Sequence, residues 1–440
     1  MKGRPNKAGP AGRRPSSAGS PCPSRRRALQ ERLLEDAAGK RAVAVFFSGH
    51  EPLLGAYDVN PTFHYLTGLD TPGSALVFLL AASALSSSRA EEVLLLPASD
   101  PARERWTGKV LAAGGLTAAG EPDGARLRAM RTTGFGAVAA AHQLEAILER
   151  PLREATLLYL DLPTEGFGSA WTLANEFAAR VRTLRPDIEI RNAGPVSGDL
   201  RRVKDGRELA LMAEAVAITD EAQAAVLRHL KPGLYEYELQ AIIECVFRLK
   251  GAQAPAFPSI VGSGPNGCIL HYGANSRRME AGDLVICDVG CRKDHYCADI
   301  TRTYPVSGSF TRRQAEVYDL VLDAQAAAFE AARPGVLVRD VHEAAVGVFR
   351  KARMDRYYIH GTGHYLGLEA HDAGPYDRPL EPGVVLTIEP GLYIPRESLG
   401  VRIEDDAVIT PDGARWLGSA SKARKDIERS LARKRATLVL

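Results

Sequence analysis

Short apolar runs separated by turn residues dominate residues 41–163. AVAVFF (42–47), ALVFLL (75–80), EVLLLP (92–97) and ATLLYLDL (155–162) read as strands, several of them apolar enough to be buried on both faces. Helix-like stretches lie between and after them, among them 136–149 and 169–185, and the pattern predicts a small α/β domain. The turn-rich stretch 191–199 (RNAGPVSGD) predicts a boundary near residue 195.

Beyond that boundary the periodicity changes. Residues 206–230 carry apolar side chains at helical spacing and stop before Lys231-Pro232-Gly233, and a second helix over 235–250 ends at Gly251. Strand-like DLVICDVG (283–290) and YCADITRTYPV (296–306) follow, then helices over 311–332, closed by Pro334-Gly335, and about 339–353, then more strands to about 409. The order helix, helix, strands, helix, helix, strands suggests a duplicated half-domain, without a strict sequence repeat.

The two ends differ from this body. Residues 1–27 are rich in Pro, Gly, Ser and Arg and nearly devoid of large apolar side chains, so they read as a disordered basic leader. They lack the apolar core of a secretory signal, and no run of 18 apolar residues predicts a membrane span. The net charge of +3 hints at nucleic acid, but its distribution argues otherwise. The first thirty residues hold eight Lys/Arg and no acid, and 421–440 nets +5; taking both from +3 leaves −10 for residues 31–420. An acidic body with basic ends is a poor nucleic-acid binder. Six cysteines in 440 residues make no disulfide framework, which points to a reducing, cytoplasmic compartment. The expected organisation is a leader (1–27), an α/β domain (28–195), an α+β domain (196–420) and a basic tail (421–440).

Candidate chemistry lies in the second half. Asp288 and Asp299 sit in two β-prone runs joined by Cys291-Arg-Lys-Asp-His295; paired as a hairpin about that loop, the carboxylates face each other ~5 Å apart. Like charges so placed need a cation or an arginine. His360-Gly-Thr-Gly-His364, His371-Asp372, Glu389 in Thr-Ile-Glu-Pro-Gly, and Arg402 with Glu404 on one face of Val-Arg-Ile-Glu add to them. Each is ordinary alone, since strand glutamates are usually solvated and lone histidines usually belong to the core. Together they supply four carboxylates and one imidazole within 117 residues. That oxygen-rich set suits two ions such as Mn²⁺ or Co²⁺ better than a tetrahedral structural zinc. Two ions ~3.5–4 Å apart would deprotonate a bridging water for attack on a polarised carbonyl, so metal-assisted hydrolysis is the predicted chemistry. Cys287, Cys291 and Cys297 could form a soft-metal cluster, but Cys287 faces away from Asp288 in the strand reading and no separate thiolate site is expected.

The series Ser259-Ile-Val-Gly-Ser-Gly, His271-Tyr, Asp288-Val-Gly, Asp299-Ile-Thr, His360-Gly-Thr-Gly-His364, His371-Asp372, Ile388-Glu389-Pro-Gly and Arg402-Ile-Glu404-Asp405 resembles the pita-bread metallopeptidases, in their Xaa-Pro aminopeptidase (aminopeptidase P) and prolidase branch. The match spans roughly residues 200–415. Upstream, Asp58, Phe63-His-Tyr-Leu-Thr-Gly68 and Asp100-Pro101 to Trp106-Thr-Gly108 look like the N-terminal domain of aminopeptidase P. The resemblance implies an α/β N-terminal domain followed by an α+β pita-bread (creatinase/aminopeptidase) catalytic domain with pseudo-two-fold halves. It implies Asp288, Asp299, His364, Glu389 and Glu404 as ligands of two divalent ions, foremost Mn²⁺ with Co²⁺ or Zn²⁺ as alternatives, and Asp299 and Glu404 as the bridges. Glu389 would also accept the proton of the attacking water. His371 would sit beside the scissile bond, His271 and His360 would shape a proline subsite, and Arg402 would orient Glu404. Trp106 would contact substrate at a neighbouring subunit's site in a homodimer or homotetramer. The activity implied is removal of an N-terminal residue before proline; the alternatives are a dipeptidase restricted to Xaa-Pro and, further off, a metal-free binding protein of the same fold.

Overall fold

A computed structural model of the chain describes residues 22–52, 56–80, 91–163 and 171–433, which fall into two compact units, Met1–Leu200 and Arg201–Leu440. The first unit is built on one mixed sheet: β1 (Ala42–Phe47), β2 (Ala75–Leu80), β3 (Glu91–Leu96), β4 (Val138–Ala140), β5 (Leu157–Leu160) and β6 (Glu189–Asn192), in the order β4-β3-β2-β1-β5-β6. The four apolar runs are β1, β2, β3 and β5, and β1, β2 and β5 are buried at nearly every position.

Three expectations need correction here. The helix expected over 136–149 starts only at Leu144, because Val138–Ala140 pairs in parallel with β3 and is buried there; a sheet partner overrides the helical preference of the alanines. The turn expected over 191–199 contains the end of β6 and the start of the helix Gly194–Arg202. The Asn192 side-chain oxygen accepts from Gly194 N–H (2.8 Å), so the small residues begin a helix where composition reads as a loop. The leader expected over 1–27 gives up its last six residues to the helix Cys22–Ala37. Leu29 and Leu33 are fully buried, and Arg26, 3% exposed, pairs with Glu92 of β3 and lies over the Phe135 ring. Residues 1–21 of the expected leader lie outside the described residues.

The second unit has the predicted helix and strand order. Its helices are Gly206–His229, Glu236–Leu249, Arg312–Ala331 and Val338–Lys351. Asp205 with Glu208, and Thr311 with Gln314, form capping boxes at the first and third. The strands are β7 (Ala254–Pro255), β8 (Ile260–Ser263), β9 (Leu284–Val289), β10 (Cys291–Lys293), β11 (Tyr296–Cys297), β12 (Ile300–Pro305), β13 (Val385–Ile388), β14 (Gly391–Ile394), β15 (Leu399–Arg402), β16 (Asp405–Thr410) and β17 (Gly413–Trp416). They pair antiparallel in short sheets, β8-β9-β12 in the first half and β13-β16-β17 with β14-β15 in the second. One core joins the apolar faces of all four helices to these strands.

A matched pair of buried glutamines ties each half together. Gln223, on the first helix, donates to the carbonyls of Cys287 (3.1 Å) and Ile300 (3.0 Å), which flank Asp288 and Asp299. Gln325, on the third, donates to those of Ile388 (3.0 Å) and Ile403 (3.3 Å), next to Glu389 and Glu404. The basic tail expected at 421–440 also begins inside the fold. The helix Arg424–Ala432 buries Ile427 and Leu431, and Lys422 bonds Asp405 at 2.7 Å.

Candidate metal centre

The hairpin that carries the two aspartates differs from expectation by two residues. Ile300 pairs with Val289 and Arg292 with Cys297, one register that sets Asp288 opposite Thr301. Its turn is Asp294-His295, both with positive φ (48° and 72°). Asp299, just before β12, is therefore the diagonal neighbour of Asp288 on the same face, as alternation requires.

Around this pair the chain returns three more candidate ligands. His364 follows the glycine-rich turn, Glu389 follows β13, and Glu404 stands between β15 and β16. Ligand atoms of Asp299, His364 and Glu404 all lie within 4.8 Å of one another. His364 Nε2 is 3.6 Å from Asp299 and 3.7 Å from Glu389. Its Nδ1 faces the Tyr365 carbonyl (3.1 Å), which fixes the tautomer that turns Nε2 inward. Glu404 accepts from Thr301 Oγ1 (2.6 Å), and its backbone N–H donates to Thr301 O (3.1 Å).

Arg402 departs from its expected role. Its guanidinium donates to Asp288 Oδ2 (2.6 Å) and to Tyr393 OH (2.7 Å), and reaches Glu404 only through Thr301. Strand alternation fixes the face but not which carboxylate across the gap lies within reach. Tyr393 OH also meets His360 Nε2 (2.9 Å), giving a chain His360–Tyr393–Arg402–Asp288. The sequence reading missed Tyr393 and Thr301. The signal was the two-residue period, which sets Thr301 on the face of Asp299.

Two further histidines, His371 and His360, adjoin this cluster. The His371 ring stacks on His364 with centroids 3.9 Å apart. Asp372, beside it, is fully buried against Arg201 and Lys204, and its N–H donates to the Tyr365 carbonyl that faces His364. His360 Nδ1 is 3.8 Å from Glu389, and an open cavity of about 630 Å³ adjoins His360 and Tyr358. His271 is exposed on the segment after β8. Trp106 lies in the first unit, on the helix Pro101–Thr107, and is 91% exposed.

The electrostatics are those of a crowded anionic pocket. Burial, then the charges of neighbouring carboxylates, push Asp299 and Glu404 well above the usual carboxylate range. Burial lifts Glu389 to about 8, against the pull of Arg402. Burial lowers His360 and His364 to about 4, so both rings are neutral at pH 7 and the His364 ring needs no deprotonation before it can ligate. Oδ1 of Asp288 and Oδ1 of Asp299 are buried without a hydrogen-bond partner. Two orphan carboxylate oxygens beside a neutral imidazole and two more carboxyl groups match a divalent-cation site. The thiols do not compete: Cys287, Cys291 and Cys297 are buried, and burial raises each, Cys291 to about 11. Among the described residues, Asp299, His364 and Glu404 form the one group of three His, Cys, Asp or Glu side chains close enough together to hold a metal ion.

Comparison with known proteins agrees with this geometry. The description Metallopeptidase family M24 matches residues 210–411, and that of the aminopeptidase P N-terminal domain matches residues 23–127. The Xaa-Pro aminopeptidase of Escherichia coli (strain K12) is 32% identical over 92% of this chain and 96% of its own length. The Xaa-Pro dipeptidase of Pyrococcus furiosus is 38% identical over 58% of this chain and 74% of its own. The structure of E. coli aminopeptidase P with the inhibitor Pro-Leu superposes with a TM-score of 0.80 at 29% identity, covering 94% of this chain and 98% of that one. The second unit thus has the pita-bread fold, and the chain belongs to metallopeptidase family M24, its catalytic unit following an aminopeptidase P N-terminal domain.

Proposed function

We propose that this protein is an Xaa-Pro aminopeptidase in which Asp288, Asp299, His364, Glu389 and Glu404 would hold two divalent ions, Mn²⁺ foremost. The observation that carries the reading is the convergence of Asp299, His364 and Glu404 ligand atoms within 4.8 Å, in a chain aligned along nearly its whole length with an Xaa-Pro aminopeptidase. Divalent ions bound there supply a Lewis acid for the scissile carbonyl and lower the pKa of the attacking water. The remaining work falls to side chains. Glu389 takes the proton from the water as its oxygen adds to the carbonyl carbon, and returns it to the prolyl nitrogen as the C–N bond breaks. His371, whose pKa burial lowers, is a neutral hydrogen-bond donor to the carbonyl oxygen. His271 and His360 wall the proline ring, with Tyr393 fixing the His360 ring. A bond before proline has no N–H for a general peptidase to grip, so ring recognition carries specificity.

The same reading assigns Trp106 to a neighbouring subunit's site in a homodimer or homotetramer, and the cytoplasm as compartment. Among the described residues no helix is long and apolar enough to cross a membrane. The Pyrococcus dipeptidase match favours prolidase as the second reading. Steady-state rates with Mn²⁺ on Xaa-Pro and Xaa-Pro-Yaa separate the two: the tripeptide is the expected substrate, and cleavage of the dipeptide alone overturns the aminopeptidase. Asp299→Ala is expected to lower kcat/KM at least about a thousandfold and to reduce bound metal. Hydrolysis unchanged by that substitution would sink the dinuclear mechanism.

A further inference from the structure

Glu236 opens the helix Glu236–Leu249, is completely buried and is not among the five proposed ligands. Its carboxylate gathers donors from one segment, residues 263–277. Oε1 accepts from Ser263 N–H (2.7 Å), Ser263 Oγ (2.7 Å) and Asn266 Nδ2 (3.3 Å). Oε2 accepts from Tyr272 OH (2.8 Å) and Arg277 N–H (2.8 Å). The Glu236 backbone N–H in turn donates to Arg277 O (3.0 Å). That segment has little regular structure beyond a short 3₁₀ turn, Gly264–Cys268, and it carries His271 between two anchored neighbours. Leu270 O accepts from Arg402 (3.4 Å), and Tyr272 is the residue held by Glu236.

We propose that Glu236 is a positioning residue for His271. It clamps both ends and the middle of the 263–277 segment, so that the exposed His271 ring stands as a fixed wall of the proline subsite. The inference rests on the assignment of His271 to that subsite. The chemistry is specific to a carboxylate, because each oxygen accepts from a backbone N–H that cannot reverse. In Glu236→Gln the side-chain amide must face either Ser263 N–H or Arg277 N–H, donor against donor, in either orientation.

The test uses the full-length, Mn²⁺-loaded protein with Glu236→Gln and the milder Tyr272→Phe, which removes one hydroxyl. Three quantities are read: amide exchange across 264–277, KM and kcat on Xaa-Pro-Yaa, and inhibition by Pro-Leu. In Glu236→Gln the expected result is faster exchange confined to 264–277 and a rise of about ten- to hundredfold in KM and in the Pro-Leu inhibition constant, with kcat within about threefold and metal content intact. Tyr272→Phe should move the same quantities in the same direction by less. Unchanged exchange and KM in both variants would overturn the proposal. So would a fall in kcat with loss of metal, which would make Glu236 a support of the whole unit. A wild-type protein that cleaves no Xaa-Pro peptide removes the aminopeptidase reading instead, and the exchange measurement still decides whether Glu236 holds the segment.

Discussion

Asp288 and Asp299 each keep a buried oxygen without a hydrogen bond, a condition that costs roughly 1–3 kcal/mol per group. The metal-free centre is therefore under electrostatic stress, and its titration has a sign. Glu389, lifted to about 8, holds a proton in the folded state that the unfolded chain has released above 4.5, so this group destabilises the fold as pH rises through that window. His360 and His364, lowered to about 4, act oppositely but only below 6.5, where the unfolded chain binds the extra protons. Calorimetry of the metal-stripped protein should show its melting temperature falling between about pH 6.5 and 8.5, and saturating Mn²⁺ should abolish that slope. A second expectation concerns Arg402. Because it touches Asp288 and Tyr393, Arg402→Leu should weaken metal binding about ten- to hundredfold by titration calorimetry, and loosen His360 as well. The convergence of Asp299, His364 and Glu404 was legible in the sequence because residues of that chemistry are sparse and patterned. The partners of Arg402 were not, since they are chosen across strands 114 and nine residues apart.

The β9–β12 hairpin shows where element-level reading succeeds and where it stops. Alternation fixed the shared face of Asp288 and Asp299, but register depends on the turn. The Asp294-His295 pair adopts left-handed backbone that neither residue type announces as strongly as glycine would. Gly290 is the element's tightest point, since a Cβ there would lie 1.7 Å from the Ala298 carbonyl oxygen. Gly290→Ala should cost more than about 4 kcal/mol in urea unfolding, far beyond a propensity effect. A loss under 1 kcal/mol, on the order of an ordinary glycine replacement, would mean the hairpin yields easily there. Alanines at 139–140 taught the complementary lesson: local preference pointed to a helix, and pairing with β3 decided for a strand.

On the scale of the whole chain, the basic ends that hid an acidic body prove unequal. The helix Cys22–Ala37 already belongs to the first unit, so deleting residues 1–21 should leave kcat/KM and melting temperature unchanged. Ending the chain at residue 418 should not be so mild. Arg302, fully buried, donates to Glu404 O (2.6 Å) and Ala420 O (2.6 Å), and Lys422 and Arg424 pair with Asp405 and Asp319. Losing those partners should lower the melting temperature and raise the Mn²⁺ dissociation constant at least about tenfold. Composition showed basic residues at that end but not their partners: Asp405 is buried 17 residues before Lys422, and Arg302 and Asp319 reach the tail from more than a hundred residues earlier.

The twin glutamines carry a consequence for the lifetime of the protein. Gln223 secures the strands of the aspartate pair and Gln325 those of the glutamate pair, so each half holds its own two carboxyl groups through one amide side chain. Bringing the halves together then presses anion against anion in a dry space. Amide exchange of the metal-stripped protein should therefore be faster along this seam than in the helices, and a seam that exchanges as slowly as the helices would overturn that expectation. With divalent ions in short supply, the same chain should then be cut faster by a protease as well as work more slowly.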